Sequence, residues 1–301
     1  MNKISLLILA GGMGSRYKGQ KQVDVISGNE TLMEFALFDA LELGIRNFVF
    51  IINSQFPIDY KNQLTQLLNH KGAQIHFIVQ DNQQLVPEEF QSRFDHRKKP
   101  LGTGHAVLLA KDFINGPFLT MNADDFYGRE TFRLGIEMAQ NLQENEFGLI
   151  AFELGNTLSE YGKVSRGICK SENGKLVSVE EHTEIGYDGN VLIGLNSKKE
   201  VSKLNETDQT SMNLWVLQPS FFHLAKKEFH VFLENMLDNQ KDEFYLPFVI
   251  DQAIQNQQVK VLIQQTSSKW MGLTYADDKL WVQKEIQKQI TNGIYPNQLW
   301  E

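Results

Sequence analysis

Three glycines, an arginine and two lysines crowd one short stretch near the amino terminus: Leu9-Ala10-Gly11-Gly12-Met13-Gly14-Ser15-Arg16, with Lys18 and Lys21 close behind. Glycines let the backbone turn sharply and bring its N–H groups against an anion. Arg16 can grip phosphate oxygens with paired N–H bonds, and a lysine adds a mobile point charge. The spacing is neither the Gly-x-Gly-x-x-Gly dinucleotide fingerprint nor a P-loop. The chemistry it suits is phosphate binding by another kind of glycine turn. A second candidate is Asn122-Ala123-Asp124-Asp125, which follows an apolar run. A carboxylate at the carboxyl end of a parallel strand sits where open α/β sheets receive ligands, so Asp124 suits a hard cation such as Mg²⁺. Asp125 is read first as a helix N-cap.

The elements that must position these groups alternate through the first half. Apolar runs at 4–9, 47–52, 74–79, 117–121 and 147–152 read as buried strands. Between them, 31–43, 57–69, 103–112 and 131–142 carry apolar residues at helical spacing. Regular alternation implies parallel strands with helices on both faces. The second half differs. Two strand-like runs flank the turn signal Glu172-Asn173-Gly174, residues 186–196 read as a loop or irregular hairpin, and 211–217 and 259–263 read as strands. Helices are expected at 219–236, 244–256 and 277–290. No Pro/Gly/Ser linker divides the chain, so one domain spanning 1–301 is expected, with a nucleotide-binding half to about 155 and an acceptor-binding half from 156.

Composition narrows the class. The 301 residues carry 29 Lys and Arg against 37 Asp and Glu, a formal net charge of -8 that argues against nucleic acid as a partner. The apolar amino-terminal run falls far short of the about 20 residues of a membrane span, and no other stretch approaches it. A single cysteine, Cys169, excludes an intrachain disulfide and suits a reducing, cytoplasmic setting. The tryptophans 215, 270, 281 and 300 are dispersed, as in core packing or an interface between copies. The basic run Arg93-Phe94-Asp95-His96-Arg97-Lys98-Lys99 reads first as a solvated loop, with contact to an anionic substrate as the alternative because it leads into Gly102, and His105 reads as a structural histidine.

Taken together, these motifs resemble those of the sugar-phosphate nucleotidylyltransferases. Residues 9–21 look like that family's Gly-Gly-x-Gly-x-Arg…Lys loop, Pro100-Leu101-Gly102-Thr103-Gly104-His105-Ala106 resembles its base-reading segment, and Asn122-Ala123-Asp124-Asp125-Phe126-Tyr127-Gly128 resembles its metal-binding strand end. Softer matches are Tyr161-Gly162, Glu181 and Asn213-Leu214-Trp215. The resemblance implies an α/β fold with a Rossmann-like three-layer core and a mixed, mainly parallel sheet. It implies transfer of a nucleotidyl group from a nucleoside triphosphate to a sugar 1-phosphate, with release of pyrophosphate. By the same resemblance Ala10, Gly11, Gly12 and Gly14 cradle the triphosphate, Arg16 holds the β/γ oxygens that leave as pyrophosphate, Lys21 bridges the phosphates of both substrates, and Gln80, Gly102 and Thr103 surround the base. Asp124 holds Mg²⁺, and Tyr161, Gly162, Glu181 and Asn213 contact the acceptor.

The departures place the chain in an atypical branch. The stretch between Arg16 and Lys21 is short, and Glu181-His182-Thr183 stands where the family has Glu-Lys-Pro. Trp270-Met271-Gly272 stands where it has Trp-x-Asp, which puts glycine at the second metal ligand. Asp277 or Asp278 could compensate, but both also suit the start of the last helix. Two other readings follow: a cytidylyltransferase for a small phosphorylated alcohol, and a nucleotide-binding protein without catalysis.

Overall fold

The computed structural model describes residues 4–12, 24–273, 275 and 277–300. Its centre is a mixed sheet of twelve described strands. Ser5–Ala10 lies parallel between Asn47–Ile52 and Phe118–Asn122, and Gln74–Val79 continues the parallel part outward. Alternate residues of the central strands face opposite layers, as the two-residue period of a strand requires. Leu7, Val49 and Ile51 pack with the helices Thr103–Leu109, Ser220–Asn235 and Leu246–Gln255. Leu6, Ile8, Phe48 and Phe50 pack with Leu32–Glu42, Ile58–His70 and Arg129–Asn141. Strands covered on both faces read as continuous apolar runs, which is why they were legible. Each fully buried Leu or Phe contributes about 1.5–3 kcal/mol to this three-layer core.

Beyond Phe118–Asn122 the sheet turns mostly antiparallel, while Lys260–Gln265 lies parallel to Glu146–Glu153. Trp215–Leu217 inserts between Phe118–Asn122 and Glu146–Glu153, and Gln209–Ser211 joins Glu146–Glu153 to Val164–Glu172. The expected strand at 211–217 is therefore two short strands, broken at Met212-Asn213-Leu214, where Asn213 adopts φ 63°. Val164–Glu172 and Lys175–Asp188 form the expected hairpin. The stretch read as a loop or irregular hairpin at 186–196 is a hairpin, Lys175–Asp188 paired with Val191–Leu195, with a register shift between Thr183 and Gly186. The helix expected over 103–112 ends at Leu109, and one tighter turn, Lys111–Phe113, follows.

Thr31 starts its helix with a capping box: its hydroxyl accepts from Glu34 N–H at 3.3 Å, and its own N–H donates to the Glu34 carboxylate at 2.8 Å. The last helix, Asp278–Thr291, packs Val282, Ile286 and Ile290 onto Leu32 and Phe35. Beyond it, Tyr295 donates its hydroxyl to Asp39 (2.5 Å), which also accepts from Arg129 (2.8 Å). Burial raises the Asp39 carboxyl to about 6, with both partners opposing the rise. No helix of the described residues is long and apolar enough to cross a membrane.

Candidate functional site

The carboxyl ends of the central strands open onto a cavity of about 610 Å³ lined by Gly11, Gly12, Gln80, Gly102, Thr103 and Asp124. These residues come from four separate places in the chain, and the parallel sheet brings them together. Ala10 closes the first strand behind them, fully buried. Gly14, Arg16, Lys18 and Lys21 lie outside the described residues.

Gly102 shows why its position admits no side chain. It has φ 106°, a region L residues rarely adopt, and a Cβ there would come within 2.5 Å of the Phe244 carbonyl oxygen. That close approach is a pairing of loops: Phe244 N–H donates to Leu101 C=O at 2.7 Å, and Gly104 N–H donates to Phe244 C=O at 2.8 Å. Thr103 serves the same junction, its hydroxyl accepting from Leu246 N–H at 3.0 Å. The basic run is only partly the solvated loop its sequence suggested. Arg97 is buried and donates to the carbonyls of Lys99, Pro100, Asn239 and Asp242 at 2.7–2.9 Å. His96, Lys98 and Lys99 line the cavity from above, with Gln240 and Glu243. The alternative reading of the run, beside an anionic ligand, suits this lining, whereas the anchoring of Arg97 had no sequence signal, because it depends on contacts spanning over 140 residues.

Asp124 also lines a second, smaller cavity of about 220 Å³, with Asp125, Arg166, Glu181, Asn213 and Trp270. Asn213 donates to Asn122 Oδ1 at 3.2 Å, and Asn122 donates to Asp125 at 2.8 Å. Tyr127 donates its hydroxyl to the Met212 carbonyl at 2.7 Å and lies 3.2 Å from Asp125. Asp125 is thus a buried member of a polar network and not the N-cap expected of it. It sits in a short strand, Asp125–Phe126, and the following helix starts after Gly128. Glu181 is exposed on its strand yet partly desolvated where it lines the cavity, which pushes its carboxyl up to about 7, with the charge of Arg166 opposing the rise. Arg166 is the lysine or arginine that, among the described residues, lines this cavity. It donates to the carbonyls of Ser165 (2.8 Å) and Thr157 (2.6 Å), and its guanidinium lies 4.7 Å from the centre of the Trp270 ring. A buried arginine within a strand was the signal that could have found it.

Tyr161 and Gly162 line neither of these cavities. They line a third, of about 620 Å³, with Trp270, Gly272, Lys269 and Trp281. Trp270 is the wall shared by the second and third cavities.

Gly272 pairs with Asp125 across two short antiparallel strands. A Cβ on Gly272 would meet the Trp270 indole at 2.3 Å and Asp125 Oδ1 at 2.8 Å, so the indole fills the volume a side chain there would need. Asp278 is no replacement by contact: its carboxylate accepts from Tyr275 N–H at 2.6 Å and from the Ser159 hydroxyl at 3.0 Å. No group of three His, Cys, Asp or Glu among the described residues could cage a metal. What fits is one carboxylate, Asp124, able to bind a hard cation whose other ligands are phosphate oxygens and water. Cys169 is buried and its thiol is pushed up to about 12, so it is inert as a nucleophile.

Residues 5–185 match the nucleotidyl transferase family. The chain belongs to that family. Among curated proteins it is similar to the bifunctional protein GlmU of Methanococcus maripaludis strain C7, 28% identical over 160 residues, and to its counterpart in strain S2, 26% identical. Each match covers 53% of this chain but 30% of the relative, so the chain corresponds to under a third of those proteins' length. Among solved structures, the inositol-1-phosphate CTP transferase of T. maritima aligns over 96% of this chain and 98% of its own, with a TM-score of 0.63 and 12% identity. A putative glucose-1-phosphate thymidylyltransferase of Bacillus anthracis, solved with a sucrose, aligns over 94% of each chain, with a TM-score of 0.63 and 13% identity. These likenesses establish the Rossmann-like nucleotidyltransferase fold.

Proposed function

We propose that the chain transfers a nucleotidyl group from a nucleoside triphosphate to a phosphorylated small-molecule acceptor, most simply a sugar 1-phosphate. The observation that carries this reading is the position of Asp124 on the wall common to two cavities, one glycine-lined and one small and polar. The first suits the nucleotide, with Gly11 and Gly12 against the phosphates and Gln80 and Gly102 at the base. The second suits the acceptor's phosphate, where Arg166 supplies the cation and Glu181 and Asn213 supply hydrogen bonds. Tyr161 and Gly162 then belong with the body of the acceptor.

In the reaction an acceptor phosphate oxygen attacks the α-phosphorus. A new P–O bond forms, the bond to the β-phosphate oxygen breaks, and pyrophosphate leaves with the electron pair. The attacking phosphate is already ionised, so no general base is required, and catalysis is positioning and charge neutralisation. Arg16 and Lys21 fall to the leaving and attacking phosphates by resemblance. Asp124 would hold Mg²⁺, which would supply charge neutralisation to the phosphates. A cytoplasmic setting suits these substrates.

The test is pyrophosphate release from UTP, CTP, ATP and GTP against a panel of sugar 1-phosphates and phosphorylated alcohols, in Mg²⁺ or Mn²⁺. Release that requires one triphosphate and one acceptor together supports the reading. Tight nucleotide binding with no release across the panel supports a binding protein instead, the reading favoured by the indole packed on Gly272.

A further inference from the structure

His105 is fully buried on the helix that follows Gly102. Its Nε2 lies 2.8 Å from the Gln84 carbonyl oxygen, and its Nδ1 lies 3.3 Å from Gln80 Nε2. A carbonyl oxygen can only accept, so Nε2 carries the ring proton and Nδ1 is left as an acceptor. Burial lowers the imidazole to about 4, so the ring is neutral near pH 7. Gln80 Nε2 also donates to the Gly102 carbonyl oxygen at 3.1 Å. Two acceptors therefore face the same end of the Gln80 amide. An oxygen turned that way would meet both with no proton to share, so the amide has one allowed orientation. Its Oε1 is directed instead toward Gly11, where a Cβ would come within 3.0 Å of it, and both residues line the nucleotide cavity.

We infer that His105 is a positioning residue for base selection: with the Gly102 carbonyl it locks the Gln80 amide so that Oε1, an acceptor, lines the nucleotide cavity and selects a base edge that presents an N–H there. The inference rests on the proposed assignment of this cavity to the nucleotide. It explains why a histidine that lines none of the three cavities described above is packed in the core, against Phe229 with ring centroids 5.2 Å apart, with both nitrogens bonded.

The test is isothermal titration of the full chain with UTP, CTP, ATP and GTP in Mg²⁺, which needs no turnover. His105→Leu is expected to reduce the ratio of best to worst dissociation constants about tenfold, the worth of one well-placed hydrogen bond. His105→Asn, whose Oδ1 replaces the Nδ1 acceptor, is expected to restore the ratio, and His105→Gln is not. In a Gln80→Ala background, His105→Leu is expected to change the ratio no further. A folded His105→Leu protein with the parental ratio would overturn the inference, as would an equal loss in the Gln80→Ala background. If His105→Leu does not fold, equal ratios in the Asn and Gln variants would overturn it. A parent protein that turns over but binds all four triphosphates equally defeats this inference alone. One that binds none defeats the nucleotide assignment as well.

Discussion

The two cavities that share Asp124 are built in different ways. The nucleotide-side cavity combines bare backbone, at Gly11, Gly12 and the turn at Gly102, whose conformation and close contact with Phe244 leave no room for a side chain, with the side chains of Gln80, His96, Lys98 and Lys99. The acceptor-side cavity is made of side chains on long-range antiparallel strands: Arg166, Glu181, Asn213 and the Trp270 indole. A triphosphate is a constant partner that backbone N–H groups can hold in any member of the family. An acceptor varies, and it is recognised by side chains that can be exchanged without disturbing the fold. Two of the atypical features of this chain stand beside residues assigned to the acceptor: Gly272 lines the third cavity with Tyr161 and Gly162, and His182-Thr183 follows Glu181 in Lys175–Asp188.

The comparison can be broken at its shared wall. Asp124→Ala is expected to reduce turnover at least about 10³-fold, as loss of a group that neutralises transition-state charge does, while circular dichroism stays unchanged. Arg16→Ala is expected to fall in the same range, and turnover within threefold of the parent in either variant would refute its role.

Within the nucleotide side, two glycines make a sharper contrast. Gly102→Ala forces a methyl group within 2.5 Å of the Phe244 carbonyl at φ 106°, so a loss of about 2–4 kcal/mol is expected in urea unfolding. Among the described residues nothing lies within 4 Å of a Cβ on Gly12. Gly12→Ala should therefore keep parental stability, and if backbone approach to phosphate is its purpose, it should weaken triphosphate binding alone.

On the acceptor side, Arg166→Gln is expected to raise KM for the acceptor about tenfold or more and to leave KM for the triphosphate within twofold, since a charge-assisted hydrogen bond is worth about 1.5–3 kcal/mol. Equal changes in both constants would assign Arg166 to the fold alone.

The smallest effect concerns Glu181. Its folded carboxyl, at about 7, lies above the ordinary 4.5. The folded protein keeps this proton across a window in which the unfolded chain has lost it, so stability falls as pH rises from about 4.5 to about 7. Glu181→Gln removes that loss. It is expected to be more stable than the parent at pH 8, by less than the full shift implies because the side chain is partly open to solvent, and equal to it at pH 4. A pH-independent difference between the two would contradict the assignment.

What the sequence disclosed follows the same division. The central strands were legible because both faces are buried, which leaves unbroken apolar runs such as Phe48-Val49-Phe50-Ile51-Ile52. Gly11, Gly102 and Asp124 were legible because a turn and a strand end carry local signatures. Arg166 and the Arg97 staple were not, since each acquires its role from partners distant in the chain. Asp125 was misread as a cap because its pairing with Gly272, across almost 150 residues, has no local trace. His105 was read as structural; its two ring contacts, to Gln80 and Gln84, also required the loops to be placed.

The central claim is that nucleotide and acceptor meet at Asp124. The most direct measurement is the steady-state rate of pyrophosphate release with each triphosphate, alone and with each phosphorylated acceptor. The account predicts release only when one triphosphate and one acceptor are present together in Mg²⁺, and its loss in Asp124→Ala. Release that proceeds equally without any acceptor, or that survives in Asp124→Ala, would contradict it.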